Sequence, residues 1–323
     1  MKSRTRNPGT ALVSAVVMSL PRSILPGATY LVTRRVLRRH FLLRPDAEIT
    51  NLILYALAVS AQRFGIQVHA LCAMSTHLHL VVTDERGVLP SFLGFFHRIV
   101  ALGTKVLRAW EGPVWDHEPT SVVRLMTRPA FVEKIAYTLA NPVAAGLVRH
   151  ANEWPGAKVL VDEIGGGVLR AERPRVYLDP KNPAWPRDVT LEVSLPPGLG
   201  AGEAEGFRRK VADEVAREEA KAYAELAGGD VLGAERAGSV SPYERATSFE
   251  PLRSLNPTFA VGRGSGSKEA WHRAAAAVRA FRAMYRAALA QWRELVRDVQ
   301  FPEGTWWMRV CHRVGVRSDV PAV

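Results

Sequence analysis

Cysteine is scarce: Cys72 and Cys311 are the only two in 323 residues. Two thiols cannot build a four-thiolate zinc site and nothing in their spacing pairs them, so two reduced thiols in a cytoplasm are expected. Long apolar runs are missing as well. Although 47% of the residues are hydrophobic, charged, Pro or Gly positions interrupt every long apolar stretch, which excludes a membrane-spanning helix. The one stretch shaped like a targeting segment is N-terminal, where Lys2, Arg4 and Arg6 precede the apolar residues 11–20. No A-x-A cleavage site follows before Pro21 and Arg22, so secretion is not expected. A phosphate-binding G-x-x-x-x-G-K-[ST] run is absent too. Gly262-Arg263-Gly264-Ser265-Gly266-Ser267 lacks the Lys-Ser/Thr ending and reads as linker, so no nucleotide cofactor is expected.

Charge is what the sequence has in excess, and it is unevenly placed. The net charge is +12, and the first 150 residues hold 18 Lys/Arg against 8 Asp/Glu, a balance of +10. The remainder holds 25 against 23. A concentrated positive field suits a polyanion, because each neutralised phosphate releases counterions. Nucleic acid is therefore the favoured partner class, against a merely solvated basic face.

The order of elements is that of an α+β protein. Residues 28–36 alternate after the Pro26-Gly27 turn signal and predict a strand. Asp46 is placed to cap a helix carrying Ile49, Leu52, Ile53, Leu57 and Phe64, stopped by Gly65. Residues 66–74 and 78–83, separated by a turn at Ser75 and Thr76, predict a hairpin. Helical spacing over 89–110, a short strand at 120–126 and a helix at 129–139 complete a split βαβ order, an antiparallel sheet with helices on one side. Beyond Trp154-Pro155 the composition changes. A Pro-rich tract runs from 174 to 197, a charged helix is expected over 203–226, a linker-rich segment over 228–267 and a long helix over 268–299. The division expected is residues 18–155 and a largely helical extension, 156–323.

Two motifs carry chemistry. His77 and His79 lie at i and i+2 of a strand, so both imidazoles project from one face, where they could chelate a metal or simply hydrogen bond. On the later helix, with Glu133 and Lys134, Tyr137 and Asn141 are one turn apart and share a face. Such a tyrosine is either a core ring or a nucleophile.

The runs MSTHLHLVV (74–82) and YTLANPVAAGLV (137–148), preceded by Pro21-Arg22, Pro26-Gly27 and Tyr30, resemble the REP-associated tyrosine transposases, within the single-tyrosine HUH transposases of bacterial insertion sequences. The resemblance covers about residues 18–155. It implies a ferredoxin-like or RRM-like HUH endonuclease sandwich acting on single-stranded DNA folded into hairpins, with Mg or Mn and no ATP. It further implies that His77 and His79 are metal ligands, Asn141 a third ligand and Tyr137 the nucleophile that leaves a 5′-phosphotyrosine and a free 3′-hydroxyl. The chain departs from the family at Thr76, where Asn is usual before the first histidine. Pro142 also biases Asn141 away from helical geometry.

Arg34, Arg35, Arg38 and Arg39 form the densest basic cluster and are the candidates for phosphate contact. Trp110 and Trp115 read as base-stacking or packing residues, and His69 as structural. The run FPEGTWWMR (301–309) resembles the tail of a longer branch of the same transposases, with no role implied. Two other readings stand beside the transposase: a domesticated hairpin-DNA-binding or nicking protein, and a small-molecule metalloenzyme built on the His-x-His pair.

Overall fold

A computed structural model describes residues 21–226, 229–248 and 257–317; the N-terminal stretch weighed as a targeting segment lies outside them. The alternating stretch after Gly27 forms β1 (Ala28–Arg35). Asp46 caps α1 (Ala47–Phe64) by accepting from the Ile49 N–H at 3.0 Å, and Gly65, in the left-handed region at φ 67°, ends it. The hairpin is β2 (Ile66–Met74) and β3 (His77–Asp84). Then follow α2 (Leu89–Leu107), β4 (Ser121–Leu125) and α3 (Arg128–Ala144). Strand order β2-β3-β1-β4, all antiparallel, is the split βαβ arrangement.

Two features differ from the sequence expectation of an antiparallel sheet with helices on one side. The sheet is mixed, because a fifth strand, β7 (Phe259–Ala260), pairs in parallel with β4. An unpaired edge needs its backbone groups satisfied, and this short return of the chain does so. Helices also cover both faces. Cys72 and Met74, cross-strand partners of His79 and His77, are 1% and 3% exposed and cluster with Val143 of α3. Leu71, Leu78 and Leu80, at alternate positions, join the main core with residues of α1 and α2. A sheet apolar on both faces requires cover on both.

Much of the C-terminal half is built onto this sheet. The Pro-rich tract carries β6 (Asp188–Glu192), which pairs with β5 (Val168–Glu172) just before it, and the pair is tied to α1 by Asn51 and Gln62, whose amides donate to the Glu172 and Thr190 carbonyls at 2.8 Å. Helix α4 (Ala204–Glu225) places Phe207, Val211 and Val215 in the main core. The expected linker over 228–267 is not loose where it is described. It holds α5 (Ala234–Ser239) and β7, and Arg263 bonds to Glu133 and Glu214. The contact is electrostatic: Glu214 is 4% exposed, and Arg263 joins Arg217 as its second cationic partner. The long helix α6 (Ser267–Arg293) follows, ending earlier than residue 299, and then β8 (Gln300–Pro302), α7 (Trp307–His312) and β9 (Gly315–Arg317). The tail returns to the start of the described chain, with the Ile24 N–H donating to the Gly304 carbonyl at 3.0 Å. No helix among the described residues is long and apolar enough to cross a membrane.

Candidate active site

Register alone assembles one wall of the site. Thr33 of β1 faces His79 on one side and Ser121 of β4 on the other, and Arg35 faces His77. Directly opposed residues share a face, so Thr33, Arg35, His77, His79 and Ser121 form one polar patch. Above it lies α3, where Lys134, Tyr137 and Asn141 fall at i, i+3 and i+7 on one face. Helix α3 runs through Pro142 to Ala144, contrary to the bias expected from Asn-Pro. The proline sits one turn from the end, so only one backbone hydrogen bond is lost, and its ring is buried.

Asn141 closes the arrangement. Its Oδ1 lies 3.3 Å from His77 Nε2 and its Nδ2 lies 3.2 Å from His79 Nε2. The two imidazole rings are 4.8 Å apart, nearly perpendicular. The far nitrogens are held by hydroxyls: His79 Nδ1 is 2.9 Å from Thr33 Oγ1, and His77 Nδ1 is 2.9 Å from Thr76 Oγ1. In these contacts His77 Nε2–H donates to the amide oxygen and His79 Nε2 accepts from the amide nitrogen; a threonine hydroxyl both donates and accepts, so it suits the Nδ1 of either tautomer. Such partners fix ring orientation in metal sites. Thr76 thus orients the His77 ring. Tyr137 packs its ring on His79 at 5.3 Å, and the Lys134 ammonium lies 5.7 Å from the Tyr137 ring centre.

These groups sit in a cleft of about 1180 Å³. Arg22, Arg35, Arg39 and Arg245 line it against Glu118 and Glu244, so its walls are net positive. Residues 232–248 supply one wall, held by the Phe41 N–H donating to the Glu244 carbonyl at 2.9 Å and the Ala246 N–H donating to the Arg39 carbonyl at 3.1 Å. Of the four arginines in the basic cluster, Arg35 and Arg39 reach the cleft and Arg34 and Arg38 do not. Strand alternation sends Arg34 to the other face. There it donates to the Glu118 and Asp116 carbonyls at 2.6 and 3.1 Å and lies against Trp115. Arg38 and Arg39 both have positive φ, 49° and 58°, a conformation worth roughly 1–2 kcal/mol of strain per residue. The turn aims Arg39 at the cleft, where it bonds to Ser248 at 2.8 Å, and leaves Arg38 exposed.

Among the described residues no group of three or more His, Cys, Asp or Glu side chains could hold a metal ion; the groups that converge here are two imidazoles and an amide. Several solved structures are similar, among them the following two. A REP-associated tyrosine transposase bound to a REP hairpin is 16% identical, with a TM-score of 0.38 over 45% of this chain and 84% of that one. A protein of Deinococcus radiodurans R1 assigned as a transposase is 20% identical, with a TM-score of 0.26 over 29% of this chain and 76% of that one. Both overlaps are too loose to transfer an activity. No protein-family model and no curated protein matches the sequence.

The remaining sequence candidates are held by contacts within the fold. Trp115 donates to the His97 carbonyl at 2.8 Å, and Trp110 donates to the Pro113 carbonyl and packs on His40 and Tyr243. His69 bonds to Thr83 and to the Ser194 carbonyl, at 2.7 and 2.9 Å. Burial lowers its pKa to about 4, and that of His97 to about 3 by burial and then the nearby Arg34. Both folded-state values lie below 6.5, so the unfolded chain takes up protons first. Stability is therefore complete above about pH 6.5 and is lost as pH falls toward 4, with a slope approaching roughly 2.7 kcal/mol per pH unit for two histidines. Urea midpoints measured between about pH 7 and about pH 5 should drop accordingly, and His97→Gln should halve the slope. An unchanged midpoint across that window would mean that neither ring is held neutral.

Proposed function

We propose that the protein is a metal-dependent single-strand DNA transposase that cleaves and rejoins hairpin DNA. The observation that carries this reading is Asn141 bridging both histidine Nε2 atoms while Tyr137 packs on His79, all inside a cleft with arginine on its walls. His77, His79 and Asn141 would hold a divalent cation, Mg or Mn; their three donor atoms face one another and their outer nitrogens are already oriented. Such a cation supplies charge stabilisation at the scissile phosphate. Arg35 and Arg39 hold the backbone of an unpaired strand by phosphate contact. The Tyr137 hydroxyl attacks phosphorus in line as the bond to the 3′-oxygen breaks, forming a 5′-phosphotyrosine. The free 3′-hydroxyl of the leaving strand, or of another, reverses the step, so the bond energy is retained and no nucleotide is consumed. Lys134 places a cation beside the attacking ring. The setting in a cytoplasm follows from DNA as substrate.

A nicking protein that has lost transposition would use the same residues and differ only in its biology. The small-molecule metalloenzyme requires further His or carboxylate donors at the pair and gives the arginine walls no role. The deciding experiment incubates end-labelled hairpin DNA with the full chain and Mg or Mn, then runs a denaturing gel. A protein-linked label that disappears with chelator, and in His77→Ala and His79→Ala, is expected. Linkage that persists without metal would remove the metal from the reaction, and no linkage or cleavage of any hairpin would return the site to structural histidines.

A further inference from the structure

On the opposite face of the sheet lies a second cavity, of about 260 Å³, that the site above does not use. Its floor is one row of the sheet, Tyr30, Arg124 and Phe259, in register across β1, β4 and β7. Its roof is α6, with Phe281 and Arg282, and Arg22 closes one end. Three guanidiniums therefore meet a lining whose only carboxylate is Glu303, and none of the three makes an ion pair among the described residues. The Arg282 Nε is buried without a hydrogen-bond partner. Burial and the neighbouring Arg282 charge both lower the Arg22 pKa. Partly buried like charges left without an anion are unfavourable, and arginine matches phosphate geometry. Apart from Ser23 and Thr258 the rest of the lining is apolar and aromatic, as a flat base requires, and the volume is near the small end of ligand cavities, which begin at roughly 300 Å³.

Arg22 lines both this cavity and the cleft. We propose that the cavity is a second DNA subsite, taking one unpaired nucleotide of the strand whose neighbours lie in the cleft. The base lies among Tyr30, Phe259 and Phe281, and the phosphate between Arg22, Arg124 and Arg282. This rests on the DNA reading above. It gives α6 and β7 a role in choosing the substrate's single-stranded flank.

The test is an abasic scan by fluorescence anisotropy, with a hairpin whose unpaired flank carries one abasic residue at each position in turn. For the full wild-type chain one position should weaken binding by about tenfold, the size of one lost base stack. In Arg124→Met/Arg282→Met the same lesion should have no further effect, and Arg124→Gln and Arg282→Gln alone guard against a variant that misfolds. If the wild type binds and nicks the intact hairpin but no position shows an arginine-dependent effect, the inference is overturned and the DNA reading stands. If the wild type binds no DNA, the DNA reading has failed, and thermal unfolding with deoxynucleoside 5′-monophosphates decides the cavity. Stabilisation lost in the double variant supports a nucleotide site. No stabilisation, or equal stabilisation by inorganic phosphate, overturns it.

Discussion

Tyr137→Phe should bind hairpin DNA within about twofold of the wild type and form no covalent adduct, a loss on the order of 10⁴ or more in strand cleavage. The substitution removes one hydroxyl and keeps the ring that packs on His79 at 5.3 Å. Among the described residues that hydroxyl makes no hydrogen bond, so nothing in the fold depends on it. The phosphate contacts proposed for Arg35 and Arg39 are untouched, and contacts of that kind carry much of the affinity of a DNA-binding protein. Only the nucleophile is gone. Labelled hairpin on denaturing gels reads the adduct, and anisotropy on the same samples reads binding. Addition of Mn should not restore the adduct, because metal cannot substitute for the attacking oxygen. An adduct formed by Tyr137→Phe would place the nucleophile on another residue, and the proposed chemistry would fall with it.

The residues at the centre of that argument were legible because they obey local periods. Strand alternation puts His77 and His79 on one face whatever the rest of the fold does. Helical spacing does the same for Tyr137 and Asn141, and the caps at Asp46 and Gly65 delimit α1 as expected. What surrounds them was not legible. Thr33 and Thr76 orient the imidazoles through register and a two-residue turn, and a small hydroxyl in a strand leaves no pattern to find. The arginine cluster read as one patch, yet strand alternation separates Arg34 from Arg35, and the positive φ of both Arg38 and Arg39 turns one outward and the other to the cleft. Neither is visible as composition. Lys134 stands beside Tyr137 by helical spacing, and the sequence places it on that helix without a role because charge on a helix is ordinary. The glycine-rich run beginning at Gly262 looked like linker because flexibility and a tight approach use the same residue. A Cβ at Gly262 would meet Pro129 and Ala130 at the start of α3, so the glycine serves docking. Pairings such as β4 with β7 join segments far apart in sequence, and two residues of strand carry no periodic signal.

A chain ending at residue 155 is expected to lose both its cooperative fold and its nicking activity, which tests the proposed division into 18–155 and 156–323. Phe207, Val211 and Val215 of α4 and Val189, Leu191 and Val193 around β6 are all 8% exposed or less and belong to the main core. Burial of each such side chain contributes roughly 1.5–3 kcal/mol, so their removal uncovers apolar surface on the remaining sheet and helices worth about as much as the roughly 5–15 kcal/mol by which a domain is stable. The loss of β7 also frees the β4 edge, an invitation to aggregate. The cleft suffers separately. Without residues 232–248 it loses one wall, and Arg39 loses Ser248, to which it bonds at 2.8 Å. Thermal melting by circular dichroism should show no sharp transition for the short chain, and the adduct assay should read blank where the full chain is active. A short chain that melts cooperatively and still forms the phosphotyrosine adduct would make the first 155 residues self-sufficient. The later elements would then act on substrate choice alone, through the α6 cavity.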